Sequence, residues 1–275
     1  MSGHAILLAR NIVRTYGDLV ALDNVSVDIP SGKVTGLIGP NGAGKSTLLS
    51  IISGFERPVS GQILLGGTDI THEPGYRRVE HGITRTFQDV EIFPTLTVLE
   101  NVVLAFQSQK GEKLWRLLLT PREVRQQRDQ FIGQALEILK TVGIIDERPN
   151  ELAGNLSYGQ QKLLALARML PTNADFFMLD EPGSGLPRPM VAHMGRLLRQ
   201  IATEHGKGVV LVDHNMELVL EYAQHVIVMH HGTVLAQGAP DYVRRHPDVI
   251  RVYLSRYDEE SSPEPRPAAT GGAHA

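Results

Sequence analysis

The stretch Gly39-Pro-Asn-Gly-Ala-Gly-Lys-Ser-Thr47 decides the fold of this chain. It fits the pattern G-x-x-x-x-G-K-[ST], whose glycines let backbone N–H groups converge on phosphate oxygens at the start of a helix. A short apolar run over residues 33–38 precedes it, and a helical pattern over residues 46–53 follows it. A glycine-rich turn can match the pattern by chance, but the flanking strand and helix argue strongly against that interpretation. We therefore predict that this phosphate loop binds a nucleoside triphosphate.

Two side chains of the phosphate loop carry its chemistry. Lys45 is expected to neutralise the β- and γ-phosphates, and the hydroxyl of Ser46 is expected to bind Mg²⁺. The residues predicted to contact the nucleotide in this loop are Gly39, Pro40, Asn41, Gly42, Ala43, Gly44, Lys45, Ser46 and Thr47.

An acidic pair, Asp180 and Glu181, follows the apolar run at residues 176–179. Asp180 is expected to hold the Mg²⁺ shell, and Glu181, one residue further on, is suited to polarise an attacking water. Without the phosphate loop, a structural role at a strand end would be the better interpretation. Together with that loop, the acidic pair predicts a hydrolytic site.

The apolar patterns predict an α/β fold. Residues 176–179, 209–212 and 226–229 are runs of large or β-branched apolar residues, as in strands buried on both faces of a mainly parallel sheet. Residues 97–170 have a helical pattern, whereas residues 5–65 show short β-type runs that end in a hairpin edge. The predicted fold class is a P-loop NTPase (RecA-like) core with a mainly parallel sheet, an antiparallel β edge and an inserted α-helical subdomain.

The composition narrows the functional class. Among 275 residues, 42% are apolar, the net charge is -3 and cysteine is absent. The charge gives no overall field that attracts nucleic acid or anionic lipid, and a chain without cysteine has neither disulfides nor thiolate metal sites. No apolar run approaches the roughly 18 residues of a membrane span, and the first residues do not match a signal peptide. A soluble intracellular protein is expected.

Three further stretches identify a family. Leu156-Ser-Tyr-Gly-Gln160 begins a helix that Ser157 is placed to cap, Gln88 follows the run at 84–87, and His214 follows the strand at 209–213. With the phosphate loop and the acidic pair, in this order and spacing, they resemble the nucleotide-binding subunit of an ATP-binding cassette (ABC) transporter. The likeness covers about residues 5–240, and the signature stretch at 156–160 is its most specific part.

The resemblance implies roles at the matching positions. Tyr16 resembles the aromatic residue that stacks on adenine. Gln88 resembles the glutamine that reaches Mg²⁺ and the attacking water while contacting the membrane subunit, and His214 resembles the histidine that contacts the γ-phosphate and orients Glu181. The implied catalytic residues are Lys45, Gln88, Glu181 and His214, and the implied Mg²⁺ ligands are Ser46, Gln88 and Asp180.

The signature stretch implies a partner. In the family, its counterparts of Ser157, Tyr158, Gly159 and Gln160 complete the ATP pocket of a second ABC ATPase subunit, like or unlike, in a head-to-tail dimer. ATP closes the dimer, hydrolysis reopens it, and the motion drives two transmembrane permease subunits. A substrate-binding protein supplies the transported substrate to these permeases. The resemblance therefore implies ATP and Mg²⁺ as cofactors, no nucleic acid partner, and a peripheral location on the cytoplasmic face of the inner (plasma) membrane.

The transported substrate is indicated by resemblance alone. Residues 82–101, the insert through Trp115 and the signature version Leu-Ser-Tyr-Gly-Gln-Gln-Lys resemble the branched-chain amino acid importer group. Urea and related amide importers share much of this pattern, and an exporter subunit stays open. A non-transport soluble ABC ATPase is the alternative from another class, but a single cassette, a modest insert and the net charge of -3 argue against it.

Two positions depart from the family pattern. Pro187 stands where Asp or Asn is usual, in the loop that normally contacts the partner's phosphate loop, and Asn215 stands where Asp commonly follows the histidine. Proline fixes φ and cannot donate a backbone N–H, which puts this contact in question. We hypothesise that Pro187 weakens one of the two sites and favours an unlike partner subunit.

The predicted domains follow from the same motifs. Residues 5–87 and 166–240 form the ATP-binding core, and 88–165 form the helical subdomain with the signature. Residues 241–257 form a helical extension, and the Ser-, Pro-, Ala- and Gly-rich residues 258–275 form a disordered tail.

Overall fold

A computed structural model describes residues 6–86, 92–109, 120–144, 149–213 and 216–252. Its strands, in chain order, are β1 (Ile6–Tyr16), β2 (Leu19–Pro30), β3 (Val34–Ile38), β4 (Ser60–Leu65), β5 (Thr68–Asp69), β6 (Ile83–Arg85), β7 (Phe176–Asp180), β8 (Gly208–Val212), β9 (His225–His230) and β10 (Thr233–Gly238). They form a four-stranded antiparallel sheet, β2-β1-β4-β5, and a six-stranded sheet, β10-β9-β3-β8-β7-β6.

The six-stranded sheet is parallel except for its edge strand β10. All residues of β3 and β8 are buried, which explains why the apolar runs do not alternate with polar residues. The predicted strands at 176–179, 209–212 and 226–229 are confirmed. Because β3, β7 and β8 are parallel neighbours, the loops after them meet at one edge of the sheet.

Alternate residues of this sheet face two different cores. Phe176 and Met178 of β7 pack with α1 and the antiparallel sheet, whereas Phe177 and Leu179 pack with helices on the opposite side. The large sheet is therefore the middle layer of the molecule.

The antiparallel sheet differs from the prediction in strand length. β1 and β2 contain 11 and 12 residues, longer than the short runs expected from the sequence. Their pairing shifts register between Ala9 and Ile12 and again near Arg14, and Asn11 has a φ of 52°. Because such bulges interrupt the two-residue period, one long strand has the sequence pattern of several short ones.

The described residues include these helices, in chain order: α1 (Lys45–Ile52), α2 (Gly75–Glu80), α3 (Val98–Val103), α4 (Pro121–Val142), α5 (Tyr158–Met169), α6 (Arg188–His205), α7 (Met216–Tyr222) and α8 (Pro240–Arg244). Between β6 and β7, helices α3, α4 and α5 pack on one another around Val102, Leu139 and Leu163. This is the predicted helical insertion. None of the described helices is both long enough and apolar enough to cross a bilayer. The predicted tail at 258–275 lies outside the described residues, and the domain boundaries stay a prediction.

Candidate active site

The phosphate loop connects β3 to α1, and two of its glycines are required by its packing. A Cβ atom on Gly39 would lie 2.2 Å from the carbonyl oxygen of Met229 in β9. Gly44 has a φ of 96°, and a Cβ there would lie 2.7 Å from the carbonyl oxygen of Ala21 in β2. No other residue fits either position without moving a strand. The loop therefore packs directly against both sheets, with the first N–H groups of α1 at its end.

Lys45 folds over its own loop. Its ammonium group donates hydrogen bonds to the carbonyl oxygens of Gly39 and Pro40, both at 2.8 Å. Pro40 also accepts a bond from the N–H of Ala43 at 3.2 Å, which closes the turn. The cation is thus held beside the loop that its sequence pattern assigns to phosphate.

One cavity of about 340 Å³ brings four predicted parts of the site together. The residues that line it are Tyr16, Leu19, Val20, Ala21, Asn41, Gly42, Ala43, Gly44, Lys45, Ser46, Thr47, Asp180, Glu181 and Val212. One cavity is therefore lined by the adenine-stacking candidate Tyr16, the phosphate loop, the predicted Mg²⁺ ligand Asp180 and the candidate base Glu181.

The two acidic residues at the end of β7 have different surroundings. The carboxylate of Asp180 pairs with the guanidinium of Arg85 at the end of β6, at 3.1 Å, and Arg85 also donates to the hydroxyl of Ser50 in α1 at 3.0 Å. Glu181 leaves the strand with a φ of 49°, and its N–H donates to the carbonyl of Val212 at 2.8 Å. The left-handed turn at Glu181 directs the chain away from the strand just after Asp180.

The donor set of the cavity fits a hard divalent cation held together with a nucleotide. Mg²⁺ prefers about six oxygen ligands and is usually bound by one or two carboxylates, waters and substrate phosphates. Ser46 and Asp180 supply a hydroxyl and a carboxylate to the same cavity. Within the described residues, no group of three or more His, Asp or Glu side chains could hold a metal by itself. The described residues by themselves thus offer too few ligands, and phosphate oxygens would add to the set.

Tyr16 ends β1 and is 42% exposed on the cavity wall. Its hydroxyl donates to the carboxylate of Glu56, and the guanidinium of Arg14 lies 4.6 Å from its ring centre. Arg14 and Glu56 also pair with each other at 3.2 Å. These two residues, which the sequence motifs did not reveal, fix the orientation of the ring.

The signature stretch begins α5 with a capping box. Gln160 N–H donates to the hydroxyl of Ser157, and Ser157 N–H donates to the side-chain oxygen of Gln160 at 3.0 Å. The predicted N-cap is confirmed. Tyr158 is half exposed, and none of the described residues lining the cavity belongs to the signature. The predicted nucleotide-binding residues Ser157, Tyr158, Gly159 and Gln160 are therefore not brought into this chain's own cavity.

Gln88, His214 and Asn215 lie outside the described residues, and so does Trp115. Their roles stay predictions. Besides Arg14 and Glu56, the sequence analysis did not predict two basic residues near the acidic pair, Arg85 and Lys162. The sequence indicates these two positions only weakly, since each is a single basic residue beside a recognised motif.

Comparison with known proteins supports the resemblance. The family model described as ABC transporter matches residues 22–184. The chain is 34% identical over 249 residues to the high-affinity branched-chain amino acid transport ATP-binding protein LivG of Escherichia coli (strain K12), which spans 90% of this chain and 97% of LivG. BraF of Pseudomonas aeruginosa, a protein of the same description, is 36% identical with the same coverage.

Solved structures agree with the sequence relatives. The ADP conformation of MJ1267, an ATP-binding cassette of an ABC transporter, superposes with a TM-score of 0.75 at 30% identity, covering 91% of this chain and 98% of that one. The dimeric structure of MJ0796, a bacterial ABC transporter cassette, gives a TM-score of 0.69 at 27% identity, with coverage of 85% and 98%. The predicted P-loop NTPase fold is confirmed. This chain belongs to the ABC transporter family and is one of its ATP-binding cassettes.

Proposed function

We propose that this cassette hydrolyses Mg²⁺-bound ATP in the cavity described above and thereby energises the uptake of branched-chain or other hydrophobic amino acids. The observation that carries the chemistry is the convergence of Tyr16, the phosphate loop, Asp180 and Glu181 on one cavity. The observation that favours the substrate is the similarity to LivG and BraF, which are described as branched-chain amino acid transport proteins.

Phosphoryl transfer to water depends mainly on positioning and charge neutralisation. In our proposal Tyr16 stacks on adenine, while Lys45 and the N–H groups that begin α1 hold the phosphates. Ser46 and Asp180 hold Mg²⁺, which when bound neutralises charge on the β- and γ-phosphates. Glu181 orients the attacking water and accepts its proton. The proposed contributions of Gln88 and His214 complete this set.

A second cassette completes the site. The signature stretch lies at the start of α5, and none of its residues lines this chain's own cavity. In a head-to-tail dimer, the signature of each subunit closes the cavity of the other, so that hydrolysis requires both. The dimeric structure of MJ0796, a related cassette, supports the formation of a dimer. Two permease subunits on the membrane would receive the motion, with this chain bound peripherally at their cytoplasmic face and a substrate-binding protein delivering the amino acid.

Uptake in a strain that lacks the gene tests the transport proposal. Cells that carry the parent gene are expected to take up labelled leucine, whereas Lys45→Ala is expected to abolish uptake because the phosphate charge is no longer balanced. Lys140→Ala, which changes an exposed lysine at the end of α4, is the matched control and is expected to support normal uptake. If the parent gene restored uptake of labelled urea but not of leucine, the transported substrate would be an amide and not an amino acid.

Purification of the tagged chain from detergent-solubilised membranes tests the assembly. Two polytopic membrane chains and a second cassette are expected to copurify. Recovery of ribosomal or DNA-bound partners without a membrane chain would keep the ATPase chemistry and contradict the transport assignment.

A further inference from the structure

Lys162 in α5 is a lysine buried next to the acidic pair. The residue is only 7% exposed, and its ammonium group donates to the carbonyl oxygens of Glu181 at 3.1 Å and Ser184 at 2.7 Å. The same ammonium lies 5.1 Å from the ring centre of Tyr158, one helical turn earlier. Two carbonyl dipoles and an aromatic face thus surround the buried cation.

The carbonyls that Lys162 holds belong to the loop that follows β7. Glu181 has a φ of 49°, in the left-handed region that disfavours residues other than glycine. Its N–H is bonded to Val212, and its carbonyl oxygen accepts from both Lys162 and the N–H of Ser184, the latter at 3.1 Å. Peptide groups on both sides of Glu181 are therefore fixed by three hydrogen bonds. Among these three, the bond from Lys162 is the one that comes from the helical insertion.

Lys162 also shares a helix with the signature. Ser157 caps α5, and Tyr158, Gly159 and Gln160 form its first turn, so that Lys162 cannot move independently of them. At the other end of the contact, Glu181 lines this chain's own cavity. In the dimer of the proposed function, the signature serves the partner's nucleotide, whereas Glu181 serves this chain's own nucleotide.

We propose that Lys162 is a positioning residue that couples the two ATP sites of the dimer. Through its bonds to Glu181 and Ser184, closure of the signature helix on the partner's nucleotide places the Glu181 carboxylate for hydrolysis in this chain's own cavity. This inference rests on the proposed ATPase function. It assigns to Lys162 no contact with substrate.

The side chain at 162 can be varied in graded steps. Lys162→Met retains an unbranched apolar stem, one atom shorter than lysine, but removes all donors. Lys162→Arg keeps a cation with donors, and Lys162→Gln keeps one amide group that can reach a carbonyl. Lys140→Met makes the same chemical change at an exposed site on α4 and is the matched control.

The test measures ATP hydrolysis and binding of a fluorescent ATP analogue by the purified transporter complex. For Lys162→Met we expect kcat to fall at least tenfold, KM and analogue affinity to stay within twofold, and the Hill coefficient for ATP to fall toward one. Lys162→Arg should recover most of the rate, and Lys140→Met should match the parent in every value. A purely structural role would lower melting temperature and analogue affinity together with kcat.

Two results separate the inference from the proposed function. If the parent complex does not hydrolyse ATP, the proposed function fails. If the parent does, and Lys162→Met retains its kcat and Hill coefficient, the inference is overturned. Should Lys162→Met fail to fold, the same comparison applies to Lys162→Gln, for which parent-like kcat and Hill coefficient would overturn the inference equally.

Discussion

The guanidinium of Arg85 lies 3.1 Å from the carboxylate of Asp180, and their side chains are only 8% and 12% exposed. The pair joins the ends of β6 and β7, and Arg85 extends the connection to α1 through Ser50. Asp180 is also the proposed Mg²⁺ ligand. The carboxylate is therefore charge-compensated by the protein before a metal binds, which keeps it ordered at the cavity wall.

Arg85→Met should destabilise the fold, because it leaves Asp180 almost buried without its cation. Breaking such a pair costs about 3 kcal/mol, and we expect a loss of that order in urea unfolding. Mg²⁺-ATP should restore more stability to the variant than to the parent, since the metal then supplies the missing positive charge. ATP in EDTA is the control. Equal stabilisation of variant and parent by Mg²⁺-ATP would contradict placement of the metal at Asp180.

Glu181→Gln should retain ATP binding and lose hydrolysis, because the amide cannot accept the proton of water. A general base contributes about 10²-fold or more, so we expect at least that loss in kcat. Size-exclusion chromatography with Mg²⁺-ATP should show a stable dimer. Glu204→Gln, on an exposed part of α6, is the control and should behave as the parent. Normal turnover by Glu181→Gln would remove Glu181 from the chemistry.

Ser157→Ala should affect catalysis beyond its effect on stability. Loss of the N-cap costs about 1 kcal/mol. Thr97→Ala offers a matched control, because Thr97 and Glu100 form the same type of capping box at the start of α3. Both variants should lose similar stability in urea unfolding, but only Ser157→Ala should lose ATPase activity and ATP-dependent dimerisation. Similar activity of the two variants would show that Ser157 acts only as a cap.

Pro187→Asn tests the hypothesis of an unlike partner. Pro187 is the N-cap of α6, with φ -66° and ψ 149°, and its carbonyl accepts bonds from Met190 and Val191 at 2.9 and 3.1 Å. Asparagine is a favoured N-cap with a compatible backbone, so the helix should not be destabilised. We expect higher ATPase activity and more homodimer by ultracentrifugation. Unchanged rate and dimer preference would refute the hypothesis.

His225 should make stability depend on pH. Burial lowers the pKa of His225 below its ordinary value of 6.5, and the nearby charge of Lys33 lowers it further, against the opposing effect of Asp28. Near pH 6.5 the imidazole of His225 therefore binds a proton in the unfolded chain but not in the folded chain. The free energy of unfolding then falls as the pH drops from 6.5 toward the pKa of the folded state. His225→Gln should reduce the stability lost between about pH 7.5 and about pH 5.5 in urea unfolding. Exposed His205→Gln is the control, and equal losses in all three proteins would contradict this assignment.

Local patterns made much of the fold and site predictable. The phosphate loop, α1 and the capped start of α5 depend on residues within a few positions of one another, and the apolar run before Asp180 is itself the strand. The phosphate loop and the acidic pair follow strands of one parallel sheet, whose carboxyl ends lie at the same edge. Tyr16 ends the antiparallel strand β1, and only the family resemblance assigned it to the site.

Contacts that depend on packing could not be predicted in this way. Arg85 and Asp180 are 95 positions apart and meet only because β6 pairs with β7. Lys162 appears in the sequence as one more polar residue of an amphipathic helix, and its reach to Glu181 follows from how α5 packs. The bulges of β1 concealed the length of that strand, because an extra unpaired residue interrupts the two-residue period of the sequence pattern.

The left-handed backbone of Glu181 has a consequence for how the chain can evolve. A residue other than glycine in such a conformation costs about 1 kcal/mol or more, so selection for heat resistance alone would favour glycine at this position. Under the proposed function, glutamate is retained at this position only while selection for ATP hydrolysis continues. In a duplicated gene that is no longer selected for ATP hydrolysis, replacement of Glu181 by glycine would be neutral for function and favourable for stability. Position 181 would therefore be among the first to change.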